Sequence, residues 1–254
     1  MKLMTKAKII IAKIIINGPY FFLTIYRKLY ILDILPYIKI QHKEIKKLLN
    51  TNFPIIVEIG AHEGGDSTKF LNQFKNLQLF CFEPDDRCIK VFKDNITDSR
   101  CILVEKAVGN KTGKVTFYPS TGSPEEDGTR KDFNASSSIK KPTNNPKSYP
   151  WLHFKEGVEK DIIRLDDFVL ENAIEHIDFM WIDVQGAERD LIEGGRRALN
   201  LTKFLKIEYG ETETYSSAMT RKETIERLNE LNFKVLEEYS SKNAVGDLVF
   251  KKIL

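Results

Sequence analysis

A buried-strand pattern that runs into a glycine turn, with an acid placed one strand later, constrains this chain most. In Pro54-Ile55-Ile56-Val57-Glu58-Ile59-Gly60-Ala61-His62-Glu63-Gly64-Gly65-Asp66-Ser67, the opening run is almost wholly apolar. Such a run suits a strand covered on both faces of a parallel sheet. Gly60, Gly64 and Gly65 remove side chains where the backbone must pass close to a ligand. Asp66 or Ser67 is expected to cap the helix that follows. A second apolar run, Leu77-Gln78-Leu79-Phe80-Cys81-Phe82, ends in Glu83-Pro84. A carboxylate at a strand end can accept hydrogen bonds from both hydroxyls of a ribose.

The turn also carries information about charge. A dinucleotide site places glycine at its first, third and sixth positions, so that a pyrophosphate can rest on the helix N-terminus. Here His62 holds the third position, and only Gly60 and Gly65 fit. Glu58, Glu63 and Asp66 would repel a pyrophosphate. An acidic turn suits a ligand bearing ammonium and sulfonium cations, which is the charge pattern of S-adenosylmethionine.

With these pieces in place the chain resembles the FkbM-type S-adenosylmethionine-dependent methyltransferases. The matching pieces are Val57-Glu58-Ile59-Gly60-Ala61-His62, Phe82-Glu83-Pro84-Asp85, Lys106-Ala107-Val108-Gly109, Ser136-Ser137-Ser138, Arg164-Leu165-Asp166-Asp167-Phe168 and the run from Ile177 to Glu188. They occur in the family's order between about residues 53 and 210. The resemblance implies transfer of a methyl group from S-adenosylmethionine to a hydroxyl oxygen of a sugar, glycan or other small metabolite. Two other classes fit parts of the sequence. One is a nicotinamide-dependent oxidoreductase, against which His62 speaks; the other is a non-catalytic Rossmann-like protein that docks through a basic arm.

That arm is set apart by charge. Residues 1–50 carry ten Lys or Arg against Asp33 and Glu44, whereas the remaining 204 residues carry 29 basic and 34 acidic side chains. The reading is a basic, apolar helical extension over 1–50 joined to a methyltransferase domain over 51–254. The longest uncharged stretch of the arm, 14–26, contains Pro19 and is short of the roughly 20 residues a membrane span needs. No small-residue cleavage site follows it, so a secretory signal is not expected. Two arrangements suit the arm. It packs on the domain or on a second copy of the chain, as a homo-oligomer, or it lies on a membrane with Lys2, Lys6, Lys8, Lys13, Arg27 and Lys28 facing anionic headgroups. Cys81, Cys88 and Cys101 have no ligand spacing and fit a reducing cytoplasm, with the membrane surface as an alternative station. The four histidines give no zinc pattern. The acidic domain disfavours a nucleic-acid partner.

Strands alternating with helices indicate an α/β, Rossmann-like, doubly wound and mostly parallel seven-stranded sheet, closed by an antiparallel hairpin. A third strand is expected over 101–108, a single helix over 187–199 and the closing hairpin over 233–253. Between these lies 120–157, polar and sprinkled with Phe133, Tyr149, Trp151 and Phe154, which reads as one substrate-covering loop.

The expected site follows from the strand ends. Gly60 and Ala61 approach the cofactor, with Glu58, Asp66 and Ser67 in its turn, Glu83 on the ribose, and Lys106 and Ala107 beside the adenine. Asp183, ending the fourth core strand, is the carboxylate expected nearest the reaction. It would take a proton, orient the hydroxyl, or share a divalent ion with Glu188 or Glu208. His62 and His153 are rival bases. Ser136, Ser137, Trp151 and Gln185 are expected to line the acceptor pocket.

Overall fold

The computed structural model describes residues 42–123, 132–143, 149–210, 215, 218–240 and 245–253. The arm before His42 therefore lies outside the described residues, as do parts of the polar segment. Among the described residues no helix is long and apolar enough to cross a membrane.

The core is a seven-stranded sheet. Its central pair is β1 (Ile55–Ile59) and β9 (Ile177–Ile182), parallel, with Ile59 opposite Ile182. On one side follow β2 (Gln78–Phe82) and β3 (Cys101–Val104), both parallel to β1. On the other side lie β10 (Thr202–Gly210), then the antiparallel β12 (Val245–Lys252), with β11 (Phe233–Ser240) at the edge. Strand order thus reverses between β1 and β9. In open α/β sheets that is where ligands sit, beyond the carboxyl ends of the strands.

Both faces of the sheet are covered, which is why its central strands are mostly apolar, with Glu58 and Asp178 as buried exceptions. On one face Val57, Ile59, Met180 and Ile182 pack beneath α4 (Leu165–Glu171), α5 (Glu188–Gly194), α6 (Arg196–Asn200) and α7 (Arg221–Glu230). On the other Ile56, Phe179 and Trp181 pack beneath α1 (His42–Leu49), α2 (Gly65–Gln73) and α3 (Asp86–Asn95). Alternation along each strand delivers successive side chains to opposite layers. α1 belongs to this packing: Ile45 is fully buried, and His42 stacks on Trp181 at 5.3 Å.

Three elements depart from the expected layout. The third strand stops at Val104, because the polar pair Glu105-Lys106 interrupts the apolar run, Glu105 pairing outward with Lys93 at 2.6 Å. The chain then turns away as β4 (Ala107–Gly109) to join β8 (Val158–Arg164) and β5 (Gly113–Phe117) in a separate small sheet. The helix expected over 187–199 is two helices broken at Gly194-Gly195, where a side chain on Gly194 would meet the Gly109 carbonyl at 2.0 Å. The polar segment is not one loop: β6 (Ser120–Gly122) and β7 (Leu152–Phe154) pair antiparallel within it.

Candidate active site

Gly60, Glu83 and Asp183 each follow directly on a core strand, so the parallel register brings them to one edge of the sheet. They border a cavity of about 290 Å³ there, together with His62, Gly65, Asp66, Lys106 and Ala107. Gly60 has φ +86°, and a Cβ there would lie 1.8 Å from the Asp183 carbonyl. Its glycine is thus required by the approach of β9 as well as by the turn. The N–H groups of Gly60 and Ala61 both donate to the Phe82 carbonyl at 3.0 Å, so they hold strand β2 rather than facing the cavity as free donors. At Gly65, by contrast, a Cβ would meet nothing within 4 Å, leaving the backbone bare toward the opening.

Glu83 is the best-defined group. One carboxylate oxygen accepts the His62 N–H and the other the Asp85 N–H, each at 2.8 Å. Two backbone donors fix the plane of the carboxylate, and each oxygen keeps a further lone pair for a ligand hydroxyl. Burial pushes the Glu83 carboxyl up to about 7, although those two N–H groups pull the other way. Glu58 lies deeper. It accepts Ser67 Oγ–H at 2.6 Å, and burial pushes its carboxyl up to about 8.

Asp66 and Ser67 do not cap α2, contrary to expectation. The cap position is Gly64, with no side-chain hydrogen bond. Ser67 points inward and is spent on Glu58, so it supports the cavity from behind rather than lining it. Asp66 does line the cavity and pairs with Lys69 at 2.7 Å.

The two histidines part company. His62 lies at the cavity lip with φ +51°, a left-handed conformation that is uncommon outside glycine and marks a constrained site. Asn134 donates its amide to Glu63 Oε1 at 3.1 Å, which leaves its Oδ1 to accept from His62 Nε2 at 2.7 Å. That nitrogen therefore carries the hydrogen, and only Nδ1 could take a proton. His153 is not at the site. Strand alternation in β7 turns Leu152 inward and leaves His153 exposed, bordering neither cavity.

Behind this cavity opens a second one of about 380 Å³, walled by Phe133, Tyr149, Trp151 and Tyr215 and bearing Glu188 and Glu208. Of the predicted acceptor residues, Ser136 and Trp151 line it, and Gln185 lines both cavities. Ser137 borders the first cavity instead, with its hydroxyl 3.1 Å from Asp85 Oδ2 and 3.0 Å from the Ser120 N–H. There it acts as a strut between Asp85 and the Ser120 backbone. Arg87 completes that strut by gripping Asp85 at 2.6 Å, Asp132 at 2.9 Å and the Ser120 carbonyl at 3.0 Å. Glu188 accepts the Gly186 N–H at 3.1 Å, and burial pushes its carboxyl up to about 7.

Beneath Asp183 lies a fully buried ammonium. Lys206 pairs with Asp247 at 2.7 Å and sits 4.6 Å over the Trp181 ring. Burial works against its charge, but the fields of Asp247, Asp183 and Glu208 outweigh burial and raise its pKa above the ordinary value. Among the described residues no group of three or more His, Cys, Asp or Glu is arranged to hold a metal ion.

Comparison with known proteins settles the class. The model of the methyltransferase FkbM domain matches residues 58–235. The chain belongs to the FkbM methyltransferase family. The 2-O-methyltransferase NoeI of Sinorhizobium fredii is 34% identical over 211 residues, covering 83% of this chain and 84% of that one. Two solved structures are more distant. An rRNA methylase from Streptococcus thermophilus is 9% identical, covers 84% of this chain and 94% of its own, and gives a TM-score of 0.48. Precorrin-6y C5,15-methyltransferase from Geobacter metallireducens is 14% identical over 85% and 94%, with a TM-score of 0.44. At that similarity neither bears on the acceptor. The residues of the first cavity fit S-adenosylmethionine chemically: a pinned carboxylate could accept ribose hydroxyls, and an acidic floor suits two cations. The oxidoreductase and the non-catalytic readings fall with the family match.

Several contacts of this FkbM site carry no sequence signal. Asn134 and Tyr215 reach it from elsewhere in the chain, and no local pattern announces them. Glu208 had one weak signal, an acid near the carboxyl end of the core strand β10.

Proposed function

We propose that the protein transfers a methyl group from S-adenosylmethionine to a hydroxyl oxygen of a sugar, glycan or similar small metabolite. The observation that carries this reading is the Glu83 carboxylate, pinned by His62 and Asp85 N–H groups at the carboxyl end of β2 and bordering the same cavity as Asp183. Transfer to oxygen draws further support from the relative NoeI, a 2-O-methyltransferase.

When bound, S-adenosylmethionine supplies a methyl group on sulfur that a nucleophile displaces in line. The chain's own residues do the rest. Glu83 accepts the ribose hydroxyls, Asp66 offers negative charge to the cationic end with the buried Glu58 carboxyl beneath it, and Lys106 and Ala107 border the adenine. Asp183 holds the acceptor hydroxyl and takes its proton, a contribution of about 10²–10⁴-fold. Alignment of the oxygen with the methyl carbon supplies the larger share. A divalent ion shared by Asp183 and Glu208 would have to displace the Gln185 amide, which donates to both at 2.7 and 3.1 Å, so the reaction is read as metal-independent. The acceptor is a small molecule or glycan rather than nucleic acid. The basic arm would station the enzyme in the cytoplasm, against a second subunit or the membrane surface.

The test is incubation with methyl-labelled S-adenosylmethionine and a panel of nucleotide-sugars, oligosaccharides and lipid-linked glycans. Label on an acid- and base-stable ether of a glycan supports the reading. Label recovered only in protein, RNA or a labile ester would overturn it.

A further inference from the structure

Both backbone N–H groups that pin Glu83 belong to residues tied, through side chains, to one further segment of the chain. That segment, 132–139, supplies part of the first cavity's wall, where Asn134, Ala135, Ser137, Ser138 and Ile139 border it. The first donor is the His62 N–H, and the His62 ring is held at Nε2 by Asn134 at 2.7 Å. The second donor is the Asp85 N–H, and the Asp85 carboxylate is held by Arg87.

Arg87 joins the two halves of this arrangement. Its grip on Asp85 is bidentate, Nε donating to Oδ1 at 3.0 Å and Nη2 to Oδ2 at 2.6 Å. Its other N–H groups reach across to the wall. Nη1 donates to Asp132 Oδ1 at 2.9 Å and to the Ser120 carbonyl at 3.0 Å, and Nη2 donates to Ser137 Oγ at 3.3 Å. Every N–H of the guanidinium is thereby used, in the flat fork that only arginine presents. Ser137 closes the ring, its hydroxyl 3.1 Å from Asp85 Oδ2. Neither Asp85 nor Arg87 borders either cavity, so the fork acts behind the site.

The consequence lies in what holds Asp85 still. Its carboxylate is buried, and a buried carboxylate stripped of its cation is costly. Without the guanidinium the chain relieves that cost by re-aiming the turn 83–87, and the N–H on which Glu83 depends moves with it. Asp132 and Ser137 lose their anchor in the same event. Lysine would keep a charge beside Asp85 but, with its donors on one nitrogen, could not hold both oxygens and the wall together.

From this geometry we infer that Arg87 is a positioning residue of the cofactor site. It fixes the ribose carboxylate and the adjoining wall as one unit without touching the ligand. The inference rests on the reading that Glu83 accepts the ribose hydroxyls.

The test is titration calorimetry of the full-length protein with two probes, S-adenosylhomocysteine and its 2′,3′-dideoxy analogue, which lacks both ribose hydroxyls. Native protein should bind the first at least about 30-fold more tightly, as expected for two hydrogen bonds to a charged acceptor. In Arg87→Met that ratio should fall below about fivefold, and in Arg87→Lys below about tenfold. A side chain that only stabilised the fold would weaken both probes alike and leave the ratio at its native value. An unchanged ratio in either folded variant therefore overturns the inference, and Arg87→Lys decides it where Arg87→Met does not fold. A ratio near one in the native protein is a different result, which removes the ribose role from Glu83 and the inference with it. Native discrimination that ignores Arg87 overturns the inference alone and leaves that role standing.

Discussion

Replacing Glu58 by glutamine should make this protein more stable, and the gain should grow with pH. The Glu58 carboxyl is fully buried beneath the cofactor cavity, where burial pushes it from 4.5 up to about 8. In the unfolded chain the same group ionises near its ordinary value. A carboxyl raised in this way contributes stability that is fully present below the unfolded pKa and is lost as pH climbs through the folded one. At ~1.4 kcal/mol per unit, the loss is under ~1 kcal/mol at pH 5, ~3 kcal/mol at pH 7 and ~5 kcal/mol beyond pH 8. Glutamine keeps an acceptor for the Ser67 hydroxyl at 2.6 Å but has no charge to desolvate. Urea unfolding of native protein and Glu58→Gln, without cofactor, should therefore give near-equal free energies at pH 5 and a variant ahead by several kcal/mol at pH 8. Glu83 and Glu188 titrate in both proteins, so the difference isolates Glu58. A gap between variant and native protein that does not change with pH, or one that shrinks from pH 5 to pH 8, would refute the reasoning. The same variant should bind S-adenosylmethionine less tightly, which is why an acid is kept where it is costly.

Four further outcomes follow from the geometry. Asp183→Asn should lower kcat by about 10²-fold or more while S-adenosylmethionine affinity, by calorimetry, changes less than about twofold. His153→Ala should leave turnover within about twofold, since that exposed side chain borders neither cavity. Binding of S-adenosylmethionine should release protons near pH 7, because ribose hydroxyls and a nearby cation favour the ionised form of Glu83, which burial holds at about 7. Affinity should accordingly rise between pH 6 and pH 8, and calorimetry in buffers of different ionisation enthalpy should show the proton. Asp247→Ala should destabilise the fold by about 3–5 kcal/mol in urea unfolding, since it leaves the fully buried Lys206 ammonium without its partner at 2.7 Å.

The sheet and its switch point were legible because burial on both faces writes mostly apolar runs into β1, β2 and β9. The residues that close those runs, Gly60, Glu83 and Asp183, are placed by the parallel register alone. The strand expected over 101–108 was misjudged because Val108 and Ala107 are buried like a continuing strand, though they belong to another sheet. His153 looked like a base because it follows Trp151, and only the pairing of β7 with β6 shows that alternation turns it outward. The walls of the second cavity were invisible for a different reason. Contacts such as Tyr215 with Ser136, 79 residues apart, and Asn134 with His62, 72 apart, depend on where loops land and leave no local periodicity.

The central claim is that Glu83 grips the ribose of a sulfonium nucleoside, and titration calorimetry of native protein and Glu83→Ala tests it most directly. Native protein should bind S-adenosylmethionine and S-adenosylhomocysteine but not NAD. The variant should bind both at least about 30-fold more weakly, the loss expected from two hydrogen bonds to a charged acceptor. Native binding of NAD alone, or a variant that binds S-adenosylhomocysteine as well as the native protein does, would contradict it.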